Sequence, residues 1–116
     1  MKKLVLIVAL VAACLIPAVA EASPTKAQGA RAIMNSGQNI CNNVDDCHYA
    51  AVANVRRDCR KGRTYVLCAL NWYFNDGSVC WDIGTAYFRG SYVRRVRFEG
   101  DPECDGGDDL SGYGYY

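Results

Sequence analysis

The chain holds a single histidine, His48, among 116 residues. That leaves no pair of imidazoles for a zinc site, and neither Cys-x-x-Cys nor His-Glu-x-x-His spacing occurs. A glycine-rich phosphate loop and a Gly-x-Ser-x-Gly elbow are equally absent, which removes the common nucleotide-binding and serine-hydrolase signatures. Neither sign of charge dominates: 13 Lys and Arg stand against 12 Asp and Glu. A general nucleic-acid binder is normally strongly basic, so no specific nucleic-acid partner is expected. No cofactor and no metal are expected.

Long apolar runs are confined to the start. Met1-Lys2-Lys3 precedes a leucine-, valine- and alanine-rich run, and Ala18-Val19-Ala20 offers a small-x-small cleavage site before Glu21. This is the pattern of a bacterial-type export leader over residues 1–20, too short to favour a spanning helix. No transmembrane segment is expected in the mature chain, which is read as secreted or periplasmic. Val11-Ala12-Ala13-Cys14 also resembles a lipobox, but the apolar run continues past Cys14, and lipidation is the lesser reading.

What the sequence does have is cysteine. With Cys14 in the leader, Cys41, Cys47, Cys59, Cys68, Cys80 and Cys104 remain. An even number in a short exported chain reads as three disulfides. Each cross-link is worth about 2 to 4 kcal/mol, a large share of the stability of so small a core. A free catalytic thiol is not expected among them, which leaves His48 without a nucleophile to activate.

The most ordered stretch runs from Thr64 to Phe98. Apolar and aromatic runs flank Asp76-Gly77, a strong hairpin signal. If those two residues form the turn, Trp72 faces Trp81, Leu70 faces Ile83 and Cys68 faces Thr85. Val66, Cys68, Leu70, Trp72, Phe74, Trp81 and Ile83 then share one apolar face. A second turn at Arg89-Gly90 adds a third strand, with Val96 and Phe98 on the same side. The opposite face collects Tyr65, Asn71, Tyr73, Asp82, Phe88, Arg95 and Arg97, together with Cys80 and Val93. Aromatic surface interspersed with arginine and asparagine is what partners tend to meet, so these seven residues are the candidate binding set.

Residues 42–62 carry helix signals. Asn43 or Asp45 can cap the start, Arg56, Arg57, Arg60 and Lys61 suit the end, and Gly62 follows. Val44, Cys47, Ala51, Val55 and Cys59 form a stripe at spacings of three and four. The expected fold class is therefore α+β, with one helix on a three-stranded antiparallel meander and three disulfides. The alternative is an all-β four-stranded meander in which Tyr49, Ala51, Ala53 and Val55 alternate along a strand. In the helical reading, matched rises along helix and strand suggest a Cys47–Cys68 bridge.

The expected organisation is a leader at 1–20, an arm at 21–40, a disulfide-stabilised domain at 41–104 and an acidic Gly/Tyr-rich tail at 105–116. Asp101, Glu103, Asp105, Gly106 and Asp109 follow part of a calcium-loop pattern, but Gly112 stands where its bidentate glutamate belongs. The function these features indicate is an exported, disulfide-rich binding module for a protein or an anionic glycan or envelope component. The alternatives are a secreted inhibitor presenting the loops at 75–78 or 60–63, and a small hydrolase using His48.

Overall fold

The computed structural model describes residues 23–105. The leader, Cys14, most of the acidic tail and the completion of the calcium-loop pattern lie outside the described residues. Helix α1 spans Lys26–Cys41 and β1 spans Cys47–Ala51. A one-turn helix α2 (Val55–Asp58) leads into β2 (Cys59–Lys61). The long strands β3 (Tyr65–Phe74) and β4 (Val79–Arg89) follow, then β5 (Tyr92–Phe98) and β6 (Glu103–Asp105). The fold is strand-rich and antiparallel, with one long helix and three disulfides.

β3 and β4 form the centre of the sheet, and each edge is an interrupted strand. β1 and β2 both pair with β3, separated by the excursion that contains α2. β5 and β6 both pair with β4, separated by a short loop over 99–102. Asp82 lies opposite that second gap. Its carboxylate accepts hydrogen bonds from the Ile83 N–H at 2.7 Å and the Gly100 N–H at 3.0 Å. The chain therefore leaves the sheet and rejoins it without stranding the Gly100 donor.

The helix comes from a segment expected to be an arm. A reciprocal capping box opens it: the Thr25 hydroxyl accepts from the Gln28 N–H, and the Gln28 side chain accepts from the Thr25 N–H. This satisfies donors that a helix start otherwise leaves unpaired. Its buried face is made of Gly29, Ala30, Ile33, Gly37 and Cys41, so it lies almost flush on the sheet. A Cβ on Gly29 would stand 2.2 Å from the Val66 Cβ, and one on Gly37 would stand 2.1 Å from the Leu70 Cδ2. The two spacings match. Eight helical residues rise about 12 Å and four strand residues about 13 Å, so α1 tracks β3 in the same direction. Trp72 fixes the helix by donating its indole N–H to the Gly37 carbonyl at 3.0 Å.

The helix expected over 42–62 is corrected to β1, α2 and β2. The long central strand β3 needs hydrogen-bond partners along its outer edge, and these residues supply them. The Cys47–Cys68 bridge is corrected as well. Cys41 pairs with Cys47, Cys59 with Cys68 and Cys80 with Cys104. The last two bridges join residues directly opposite each other in the ladder, with Cα atoms 4.1 and 3.9 Å apart. Each pins a three-residue edge piece to a long central strand.

The register of β3 against β4 differs from expectation by one residue. Trp72 faces Cys80, Leu70 faces Asp82 and Asn71 faces Trp81. The turn contains three residues, Asn75, Asp76 and Gly77, rather than two. The Phe74 N–H donates to the Ser78 carbonyl and the Gly77 N–H to the Phe74 carbonyl, with Gly77 at φ +89°. That is the three-residue hairpin with a left-handed glycine bulge. Asp76 locks it, its carboxylate accepting from the Ser78 N–H and hydroxyl. A one-residue slip turns every side chain of the second strand over. Hence Cys80, Asp82, Ala86 and Phe88 face the helix, while Trp81 faces away at 40% exposure.

Candidate functional site

The outer face of the sheet is the surface that α1 does not cover, and no other described element packs on it. Five of the seven expected binding residues lie there: Tyr65, Asn71, Tyr73, Arg95 and Arg97. The other two are corrected. Phe88 is buried on the helix side, and Asp82, only 2% exposed, holds the 99–102 loop. Burial holds the Asp82 carboxyl above the usual carboxylate range, opposed by the backbone N–H groups of Gly100, Ile83 and Asp101. Cys80 and Val93 also leave the outer face. Cys80 is fully buried, and Val93 lines a hollow with Phe88 and Gln28 beside the helix.

The β4 residues missed by the sequence reading are Trp81, Ile83 and Tyr87. The alternation of β4 contained them all along; only the turn length assigned it to the wrong side. Tyr49 was missed because its segment was read as helix. It stands opposite Tyr73, and the two rings stack with centroids 4.6 Å apart.

The outer face is polarised along the strands. At the end near the β3–β4 turn stand the Tyr49–Tyr73 stack and Trp81, with Glu103 opposite Trp81 and Asp105 opposite Val79. The middle is apolar, with Leu67, Ala69 and Ile83. At the far end Tyr65 faces Tyr87, Arg97 faces Thr85 and Arg60 faces Leu67. The two arginine-rich stretches, far apart in sequence, thus lie at the same end of the sheet on its opposite edges, with β3 and β4 between them. Part of the first is already engaged. Arg57 pairs with Asp58 at 2.9 Å, and Lys61 donates to the Pro24 carbonyl at 2.9 Å. The Arg57 hydrogen bond holds the Asp58 carboxyl below its usual range.

A bulge shapes the second stretch. Tyr87 pairs with Arg95 and Phe88 with Val93, so Arg94 is the extra residue of β5. A bulge bends its strand and re-aims the side chains beside it. Here Arg94 and Arg95 line one hollow of about 330 Å³ together with Tyr87. The Arg95 guanidinium lies over the Tyr87 ring, 4.8 Å from its centroid. Among the described residues, no carboxylate lies within ion-pair distance of Arg60, Arg94, Arg95 or Arg97.

His48 is exposed, with its ring edge-on to Tyr49 at 5.3 Å. The six cysteines at 41, 47, 59, 68, 80 and 104 are all bonded. Among the described residues, no group of three or more His, Cys, Asp and Glu side chains could hold a metal ion. No helix among them is long and apolar enough to cross a membrane.

The described residues thus form a small antiparallel sheet, backed by one helix on one face and covered by no described element on the other. No protein-family model matches the chain, and no curated protein or solved structure matches it significantly.

Proposed function

We propose that the chain is an exported, disulfide-stapled binding module that meets its partner through the outer sheet face. One observation carries this reading. Aromatic side chains from three strands share a face that no described element covers, while Cys41, Cys59, Cys68 and Cys80 are buried on the helix side. The scaffold is therefore rigid where it is buried and open where it is aromatic. A partner can land without first reordering the backbone, which lowers the entropic cost of binding. The three disulfides fit an oxidising compartment, which supports a secreted or periplasmic location.

Trp81 is the expected energetic centre, since exposed Trp and Tyr dominate contact surfaces and each anchor commonly contributes about 2 kcal/mol or more. The test is retention of the oxidised full chain on an envelope fraction from its own source. Trp81→Ala and Tyr65→Ala should each weaken retention without altering the thermal midpoint by more than a few degrees. Equal retention of wild type and both variants rejects the outer face as the contact surface.

A further inference from the structure

We infer that Arg94 and Arg95, with Arg97 beside them, form an oxyanion site that takes the acidic unit of a sparsely charged glycan. The inference rests on the outer-face reading and names the partner of that face.

The site begins with the bulge. In an uninterrupted strand, neighbouring residues point to opposite faces. The extra residue breaks that rule at Arg94, and two guanidinium groups come to line one hollow with Tyr87. The Tyr87 ring holds the Arg95 guanidinium by a cation–π contact, 4.8 Å from centroid to Cζ, and an aromatic support of this kind leaves guanidinium N–H groups for a ligand. A planar fork held in this way suits the paired oxygens of a carboxylate or phosphate. No described carboxylate competes for it.

The rest of the face selects the kind of anion carrier. Trp81 lies six residues along β4 from Tyr87, or about 20 Å at the rise of a strand. An extended ligand running that length crosses Ile83 and reaches Glu103 and Asp105 at the other end. A polymer with a negative charge on every unit would be repelled there. A flat anionic membrane laid on the face would meet the same two carboxylates. An acidic peptide would leave the apolar middle and Trp81 with little to contact unless it were also aromatic. A glycan with one acidic unit among neutral sugars meets each part of the face with its complement. The acid sits on the arginines, and the neutral rings lie over Ile83 and Trp81.

The experiment is titration calorimetry on the oxidised full chain at low ionic strength. The probes are an oligosaccharide with a single glucuronate among neutral sugars, the same backbone with a sugar phosphate in its place, oligogalacturonate, a neutral glucan, an acidic peptide and anionic vesicles. The expected order places a singly acidic oligosaccharide first, with the choice between carboxylate and phosphate read from the first two probes. Arg94→Gln and Arg95→Gln should each lower that affinity about tenfold or more and flatten its salt dependence. Arg95→Lys, which keeps the charge and loses the fork, should restore only part of it. Preference for oligogalacturonate, the peptide or the vesicles overturns the inference, as does equal binding of the neutral glucan. If Trp81→Ala abolishes envelope retention while both Gln variants retain normally, the oxyanion site is wrong and the contact face stands. If none of these variants changes retention, both readings fall.

Discussion

Trp72 and Trp81 are the two tryptophans of one hairpin, yet they belong to different worlds. Trp72 is fully buried under α1, and Trp81 is 40% exposed on the opposite side. The inner face is built by close approach: glycines on the helix, small residues on β4 and one indole hydrogen bond. The outer face is built by lateral pairing of rings and arginines across strands. The lesson is that one layer of backbone can be stability-determining on one side and nearly indifferent on the other.

The comparison can be broken by substitution. Trp72→Ala should cost the most, about 3 to 5 kcal/mol, because it opens a large cavity and loses the bond to Gly37. The urea midpoint reads this directly. Removing the Cys59–Cys68 cross-link as a paired alanine variant should cost about 2 to 4 kcal/mol. Its thermal midpoint should fall, while a reducing agent should affect that variant less than wild type. Gly29→Ala follows at about 1 to 3 kcal/mol from overpacking against Val66. Gly37→Ala should cost less, since the atom it meets is the far end of the Leu70 side chain rather than a Cβ.

Asp82 adds a smaller, pH-dependent effect on the inner side. Its folded pKa is raised by burial, so the native state holds a proton that the unfolded chain has already lost. Stability from this group is complete at low pH. It declines as pH rises from the ordinary carboxylate range through the folded value, by at most about 1.4 kcal/mol per pH unit. In a series of urea titrations from acid to neutral pH, Asp82→Asn should lack this slope. Last comes Trp81→Ala, whose effect on stability should stay within about 0.5 kcal/mol. A loss as large as that of Trp72→Ala would mean that the outer face is covered after all.

Much of the architecture was legible from residue patterns. β3, both hairpins, the three disulfides and the outward position of Arg95 and Arg97 follow from alternation, turn glycines and cysteine parity. The second hairpin turn lies one residue on, with Gly90 at φ +62° between Arg89 and Tyr92. The failures have specific causes. β4 was turned over by the one-residue error in turn length, and its composition did not expose the error, because its inward set, Cys80, Asp82, Gly84 and Ala86, is less apolar than its outward set. These positions are small or polar because α1, Ile33 and Phe98 fill the space: a Cβ on Gly84 would stand 2.7 Å from the Phe98 ring. Hydrophobicity therefore agreed with the wrong side instead of correcting it. The helix was read as an arm for the same reason, since a flush face of glycine and alanine gives little periodic signal. Thr25 and Gln28 at capping-box spacing were the one local clue. The candidate site suffered most, because Trp81 and Tyr87 could be found only once the turn length was known.

The interrupted edges carry a consequence for how the sheet meets other chains. Long unpaired strand edges invite other chains to add on. Here the edge pieces Cys47–Ala51, Cys59–Lys61 and Glu103–Asp105 are short. The Ala50 N–H is occupied by the Gln38 side chain, and β5 carries three arginines. Two of the cross-links hold the shortest pieces in place as shutters over β3 and β4. A reducing environment would free those shutters and bare the short stretches of β3 and β4 that β1 and β5 do not pair, so the two cross-links close the sheet's edges as well as holding its fold.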